Sequence, residues 1–194
     1  MQRYLISLLF VFYGTYTFAQ TEDKHMKFMG IPIDGPVSDF VSELEKKGFT
    51  ITNISEEYWM KGNFATYDNC KIGISYVKSD NKVYSVAVLF PEYDNWKSIY
   101  SIYELMKNNL IEKYGKPASC TEEFQDISSS TLNDRIRMEL LTMDMTDFNT
   151  FFESGIGVIQ LSIRRKDNKN GWVLINYFDK KNFDIENNKI KDDL

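Results

Sequence analysis

The sequence predicts an α+β fold, with helices packed on an antiparallel sheet. Three observations carry this. Apolar residues recur with helical spacing in two well-capped segments. Elsewhere they alternate with period two, in two runs of about three strands each. The two kinds of segment are segregated along the chain, which separates α+β from the alternating pattern of a parallel α/β fold.

The first helix follows Phe28-Met29-Gly30-Ile31-Pro32-Ile33-Asp34-Gly35-Pro36. Asp34 or Gly35 is placed to cap it, Pro36 suits the first helical position, and Gly48 suits the stop. Val37, Phe40, Val41 and Leu44 give it one apolar face. The period then changes to two. Tyr58, Met60 and Phe64 share one strand face, and Ile72, Ile74 and Tyr76 share one face of the next. Val83 to Phe90 is almost wholly apolar, as a strand buried on both sides should be. Asp68-Asn69 and Ser79-Asp80-Asn81 supply turn chemistry, and a short strand at 50–54 can precede the three.

In the second half, Ile99, Tyr103, Met106, Leu110 and Tyr114 recur at spacings of four, three, four and four. Asp94 or Asn95 caps that helix, and Gly115 with Pro117 stops it. Residues 116–133 hold Cys120 and a Ser128-Ser129-Ser130 loop. Residues 134–143 fit either a strand or a helix; strong helix formers and a cap at Asn133 or Asp134 favour a short helix. A final three-strand run follows, over 147–152, 156–165 and 172–178, with Asn170-Gly171 as a hairpin signal. The expected organisation is a single domain over 28–179. Its two successive helix-then-three-strand-meander halves, 28–92 and 93–179, form a pseudo-repeat, and a polar tail, loose or weakly helical, covers 180–194.

The first nineteen residues have the pattern of a secretory signal peptide: Arg3, an apolar run from Leu5 to Tyr13, and Thr17 and Ala19 as small residues before a cleavage site. About nine apolar residues fall far short of the roughly twenty a membrane-spanning helix needs. Cleavage after Ala19 leaves 175 of the 194 residues and removes Arg3, taking the formal charge from −5 to −6. The expected location is periplasmic or secreted, with a flexible polar leader over 20–27 and no membrane span. An acidic chain whose notable basic runs are Lys46-Lys47 and Arg164-Arg165-Lys166 lacks the clustered basic face that nucleic acid requires.

Two cysteines in an exported chain read as one disulfide, Cys70–Cys120. A catalytic cysteine would need a base, and His25, the single histidine, sits in the leader. Asp144 to Asn149 begins like a calcium loop, but Phe148 stands at a ligand position and no glycine follows at the sixth place. No phosphate loop, nucleophile elbow or dinucleotide fingerprint occurs, and no cofactor or metal is implied. Glu56-Glu57 beside Tyr58-Trp59 has the look of a sugar cleft, yet neighbouring strand residues point to opposite faces and cannot serve one site. Trp59 lies opposite Tyr58, Met60 and Phe64. With Glu57, Lys61 and Asn63 it defines a candidate binding patch, which full burial of Trp59 would exclude.

Phe28 to Gly35, Lys47-Gly48-Phe49, Lys61-Gly62-Asn63-Phe64, Tyr114-Gly115-Lys116-Pro117 and Tyr177 to Asn182 resemble a group of small exported Bacteroides-type proteins of unknown function. The order of elements is also similar to the β-lactamase-inhibitor-like fold. The resemblance implies export and transfers no catalytic residue. The expected role is a non-enzymatic envelope binding module for a protein or cell-envelope component. The alternative is an envelope carbohydrate hydrolase using carboxylates from separate strands.

Overall fold

The computed structural model describes residues 24–54, 57–125 and 132–192. The signal peptide assigned to 1–19, Glu56 and the Ser128–Ser130 loop lie outside the described residues. The chain forms a small hairpin, β1 (Lys27–Phe28) and β2 (Ile31–Pro32), then α1 (Val37–Lys46) and strands β3 (Thr50–Ile54), β4 (Tyr58–Phe64), β5 (Tyr67–Val77) and β6 (Lys82–Leu89). Next come α2 (Trp96–Tyr114), β7 (Ser119–Phe124), α3 (Asp134–Thr142), β8 (Thr146–Ser154), β9 (Gly157–Arg165), β10 (Gly171–Asp179) and α4 (Lys180–Asp192).

Strands β3 to β10 make one eight-stranded antiparallel sheet in the order β3-β4-β5-β6-β10-β9-β8-β7. Each run has four strands, the short strand at 50–54 completing the first as expected and β7 adding one to the second; each starts at a sheet edge and ends at the centre, where β6 and β10 pair. Nothing in the sequence marks β7 as a strand, because Ser-Cys-Thr-Glu-Glu-Phe lacks apolar alternation. As an edge strand it needs little of it. The edges differ in chemistry: β7 carries Glu122 and Glu123, whereas β3 holds no charge and is exposed along its length. A bulge at Thr52 interrupts the pairing of β3 with β4, one of the devices that blunt an edge.

Local signals explain most boundaries. Asn95 caps α2 by accepting from the Ser98 amide at 2.9 Å, and Asn133 caps α3 through the Ile136 amide at 3.0 Å, so 134–142 is helical. α1 starts one residue later than expected: Pro36 is the extended flanking residue, and no side chain caps the helix. The first hairpin turns at Ala65-Thr66, both with positive φ, and not at Asp68-Asn69. Phe64 and Tyr67, the pair closing this turn, both pack against Phe90, with ring centroids 6.0 and 5.3 Å away. Tertiary packing therefore overrides the local turn preference. The β9–β10 loop is closed by Asp167, whose Oδ1 accepts from the Lys169 and Asn170 amides at 2.8 Å each.

The core lies on one face of the sheet. Met60, Ile72, Ile74, Val86, Val88, Leu161, Val173 and Ile175 project into it, and α1, α2 and the β1–β2 hairpin close over them. Phe28 stacks on Phe64 and tilts against Tyr177 at 5.5 and 5.4 Å.

The N-terminal leader differs from expectation. Residues 25 and 26 of the supposed flexible leader are tied to the end of β10. Asp179 Oδ2 accepts from the Met26 amide at 2.9 Å and lies 3.1 Å from His25 Nδ1, while Oδ1 accepts from the Asn182 amide at 3.0 Å. Of the two alternatives for the tail the helical one holds: it forms α4, capped by that same carboxylate. Asn182, fully buried, donates from Nδ2 to Ile33 O, Val83 O and Asp34 Oδ1. Asp34 is held below its ordinary pKa: burial opposes the shift, and the Asn182 and Gly35 hydrogen bonds and the nearby His25 and Lys82 outweigh it.

The Cys70–Cys120 disulfide is not formed; both are free thiols. β5 and β7 are the third and eighth strands of the sheet, five steps or about 24 Å apart along it. A disulfide needs Cα atoms within about 7 Å. The fifty-residue spacing gave no information about this distance. Cys70 is fully buried, and burial pushes its thiol up to about 11.

Two outcomes are expected. Alkylation of the native protein labels the exposed Cys120, and Cys70 reacts only after unfolding; a chain unlabelled before reduction would mean a bond. Asp179→Ala orphans two buried amides and lowers stability by about 3 kcal/mol, read as a shift in urea midpoint with faster amide exchange at Met26 and Asn182. An unchanged midpoint would refute the anchoring role.

Candidate functional site: the open face of the sheet

Among the described residues α1, α2 and α3 sit on the core side of the sheet, and α4 is the one helix on the opposite face. α4 covers one end of it: Phe183 packs against Phe178 and Tyr84, with ring centroids at 5.4 and 6.0 Å. Beside α4 a groove of about 420 Å³ is lined by Phe178, Phe183, Val158, Glu153, Lys180 and Asp184. Beyond α4 the face is open.

Strand register sets what this open area displays. One cross-strand row runs Trp59, Gly73, Ala87, Asn176, Gln160, Phe151. The next contains Lys61, Lys71, Leu89, Leu174, Ser162 and Asn149, and beyond it Trp172 pairs with Arg164. The floor is lowest at Gly73 and Ala87. A Cβ on Gly73 would stand 3.0 Å from the Trp59 ring, so glycine is what lets the indole lie down on β5.

The polar side chains of β8, β9 and β10 are joined to one another. Asn176 Nδ2 donates to Gln160 Oε1 at 3.3 Å, and Gln160 Nε2 donates to Asn149 Oδ1 at 3.0 Å. Asn149 Oδ1 also accepts from Arg164 at 3.0 Å, and its Nδ2 donates to Asp147. The ladder holds planar amides in fixed orientation while leaving each with unused hydrogen-bonding capacity. Beside it, opposite Asn149, Ser162 is fully buried, and among the described residues its hydroxyl has no partner.

Charge collects along the rim. Lys71 stands 5.7 Å above the Trp172 ring and 3.1 Å from Glu92, which also accepts from Lys166. Glu92 is held below the usual carboxylate range, chiefly by the Lys166 hydrogen bond, with burial opposing and Lys71 assisting.

The sequence-derived patch lies on this face, dispersed along β4. Trp59 is half-buried over Gly73, and Lys61 and Asn63 are exposed. Glu57 accepts from Ser75 at 2.8 Å, near the end covered by α4. Asn149, Gln160, Ser162, Arg164, Trp172 and Asn176 were missed. Part of their signal was present as Gln160 and Ser162 between Ile159, Leu161 and Ile163 and as Asn176 between Ile175 and Tyr177, but register alone joins them.

Other chemistry is otherwise engaged. Glu104 and Glu122 each lie 2.5 Å from Lys107 Nζ. Burial alone would lower Lys107, but these two bonds overturn that and hold it above its ordinary value. The carboxylates thus neutralise a half-buried cation, which disarms them as an acid–base pair. His25 is held between Asp179 and Asp34, and Asp147 and Asn149 lie on β8, not in a calcium loop. Among the described residues no group of three or more His, Cys, Asp or Glu could hold a metal ion, and no helix is long and apolar enough to cross a membrane.

Fold and face together define an α+β domain with a single large antiparallel sheet, covered on one side and largely open on the other. Comparison with protein-family models, with curated proteins and with solved structures finds no match in any of the three.

Glu92→Gln is expected to cost less than about 1 kcal/mol at pH 7, since the pairs are partly solvated, and less still at high salt. Because the folded pKa is depressed, the stabilisation exists above the unfolded carboxylate value and is lost as pH falls through the folded one. Denaturation midpoints of variant and parent should therefore converge in acid. A gap that persists there would mean that packing, not charge, is at work.

Proposed function

We propose that this chain is a non-enzymatic binding module of the cell envelope, working in the periplasm or outside the cell after cleavage behind Ala19. In this reading the chain consists of two successive helix-then-meander halves. The likeness to exported Bacteroides-type proteins and to the β-lactamase-inhibitor-like fold belongs with it. The partner is a protein or another envelope component. The observation that carries the proposal is the open sheet face, where Trp59 lies on a floor of Gly73 and Ala87 next to the bonded amides of Asn176, Gln160 and Asn149. That face displays these aromatic and amide groups beside the charged side chains of Lys61, Lys71 and Arg164. Such groups favour contact, since Trp and Arg are favoured interface anchors. A hydrolase would need two carboxylates free to exchange protons across a bond, and the close pair Glu104 and Glu122 is clamped by Lys107.

The test is crosslinked capture from an envelope extract with the parent chain and with a Trp59→Ala, Lys61→Glu double variant. The expected result is one species recovered near stoichiometry by the parent and lost with the variant. Equal recovery by both, or none by either, would overturn the assignment to this face.

A further inference from the structure

β3 is the uncharged edge of the sheet, and both of its isoleucines stand in solvent: Ile51 is 39% exposed and Ile54 57%. In a regular strand, residues three apart face opposite sides of the sheet and turn their backbone groups in opposite directions. Ile51 and Ile54 do neither, because the bulge at Thr52 inserts one extra residue between them. Ile51 stands opposite Met60 and Ile54 opposite Tyr58. Met60 and Tyr58 belong to the core side of the sheet, so both isoleucines lie on that side, at its rim.

The backbone follows the same logic. The Lys61 and Trp59 carbonyls point at β3, since they accept from the hydroxyls of Thr50 at 3.3 Å and Thr52 at 3.1 Å. Alternation along the ladder then turns the amides and carbonyls of Ile51 and Ile54 away from β4, towards the free edge. β3 therefore offers two outward-facing backbone units, each carrying an exposed apolar side chain on the same face. A straight strand fits this edge poorly, and a strand with the same bulge fits it well.

The strand with that bulge is β3 itself. Antiparallel pairing about a two-fold axis between Thr52 and Asn53 sets Ile51 opposite Ile54 of a second copy, and Ile54 opposite its Ile51. One row then reads Met60, Ile51, Ile54 of the second copy, Tyr58 of the second copy. Symmetry repeats the row, so the exposed isoleucines of both chains close into one apolar cluster between the two cores. Charge agrees with this register. Lys61 follows Met60 and Glu57 precedes Tyr58, so Lys61 of each copy is level with Glu57 of the other, about 14 Å away across three strand spacings. The attraction is modest and screened by salt, and residues 57–64 carry no other charge. The far edge is guarded: β7 holds Glu123, exposed, beside Glu122, which Lys107 pairs. Charged side chains on an edge discourage pairing, so association ends at two copies rather than in a ribbon.

We propose that β3 is a dimerisation edge whose partner is a second copy of this chain. The dimer joins two eight-stranded sheets into one. Trp59 of each copy is then level with Trp59 of the other, about 14 Å away on the same face, and the two open faces form a continuous surface. A five-residue edge makes an interface smaller than the roughly 800 Å² per partner of a standard one. The dimer is accordingly reversible, with a Kd on the order of 100 µM.

Sedimentation equilibrium of the purified protein between about 10 µM and 1 mM tests this. The expected result is monomer at the low end and dimer at the high end. Ile54→Lys, at an exposed position, should leave the urea midpoint unchanged and weaken the dimer about tenfold or more, since symmetry removes the apolar contact twice. The register is read in a Cys120→Ser background, which removes the exposed thiol and keeps the buried Cys70. Ile51→Cys protein mixed with Ile54→Cys protein in a glutathione redox buffer should give a crosslinked heterodimer, and neither variant alone should crosslink. Directly opposite Cα atoms are about 5.5 Å apart, within reach of a disulfide. A protein monomeric throughout, a dimer indifferent to Ile54→Lys, or crosslinking by either cysteine variant alone as readily as by the mixture would each overturn the proposal. None of these results bears on the binding-module reading, which stands or falls on capture through Trp59 and Lys61.

Discussion

A single buried carboxylate holds the architecture closed. Asp179 ends β10, caps α4 and accepts from the Met26 backbone amide. Each role alone is ordinary. Their coincidence in a fully buried side chain makes the position of α4 and that of the N-terminal segment one structural fact. Asn182 extends the arrangement by reaching Ile33, Asp34 and Val83 from the first turn of α4. The β1–β2 hairpin is thereby pinned over the aromatic core at Phe64 and Tyr177. α4 is started in the direction that takes it across the far face of the sheet, which fixes how much of that face stays open.

Much of this was legible because helix periodicity and caps are local. α2 is announced by its stripe and by Asn95, and α3 by Asn133, because both signals operate within one turn of chain. The apolar alternation of β4, β5, β6, β9 and β10 was equally readable. What failed was what depends on distance. The Ala65-Thr66 turn carries no turn residue and is imposed by packing on Phe90. β7 is an edge strand and so escapes the pattern that buried strands must obey. The disulfide rested on parity of cysteines and location, and strand order placed the two thiols far apart. The leader looked polar and therefore loose, because nothing local marks Asp179 as the partner of Met26.

The candidate site was half readable for the same reason. Trp59, Lys61 and Asn63 sit on one strand and could be assigned a common face by counting. The amide ladder spans β8, β9 and β10 and becomes a ladder only through their register. Its residues looked like unremarkable solvent positions one strand at a time. The sheet thus keeps its two faces chemically distinct: one is filled by aliphatic and aromatic side chains, and the other is tiled with amides around a low floor. That division follows directly from alternation along each strand, and the face that carries the least stability is free to carry recognition.

The meeting of residues 25–26 with residues 179–182 also bears on how the molecule comes into being. The contacts that seal the fold join the first and last parts of the chain, and the central strand pair, β6 with β10, awaits the final strand. A nascent chain can build α1 and the first meander early, but it cannot close the core until β10 and residues 179–182 have been made. Until then the inner face of β6 and the β1–β2 hairpin lack their covering partners. Closure therefore waits on one late segment, and a chain cut short before Asp179 would be left unsealed rather than merely shortened.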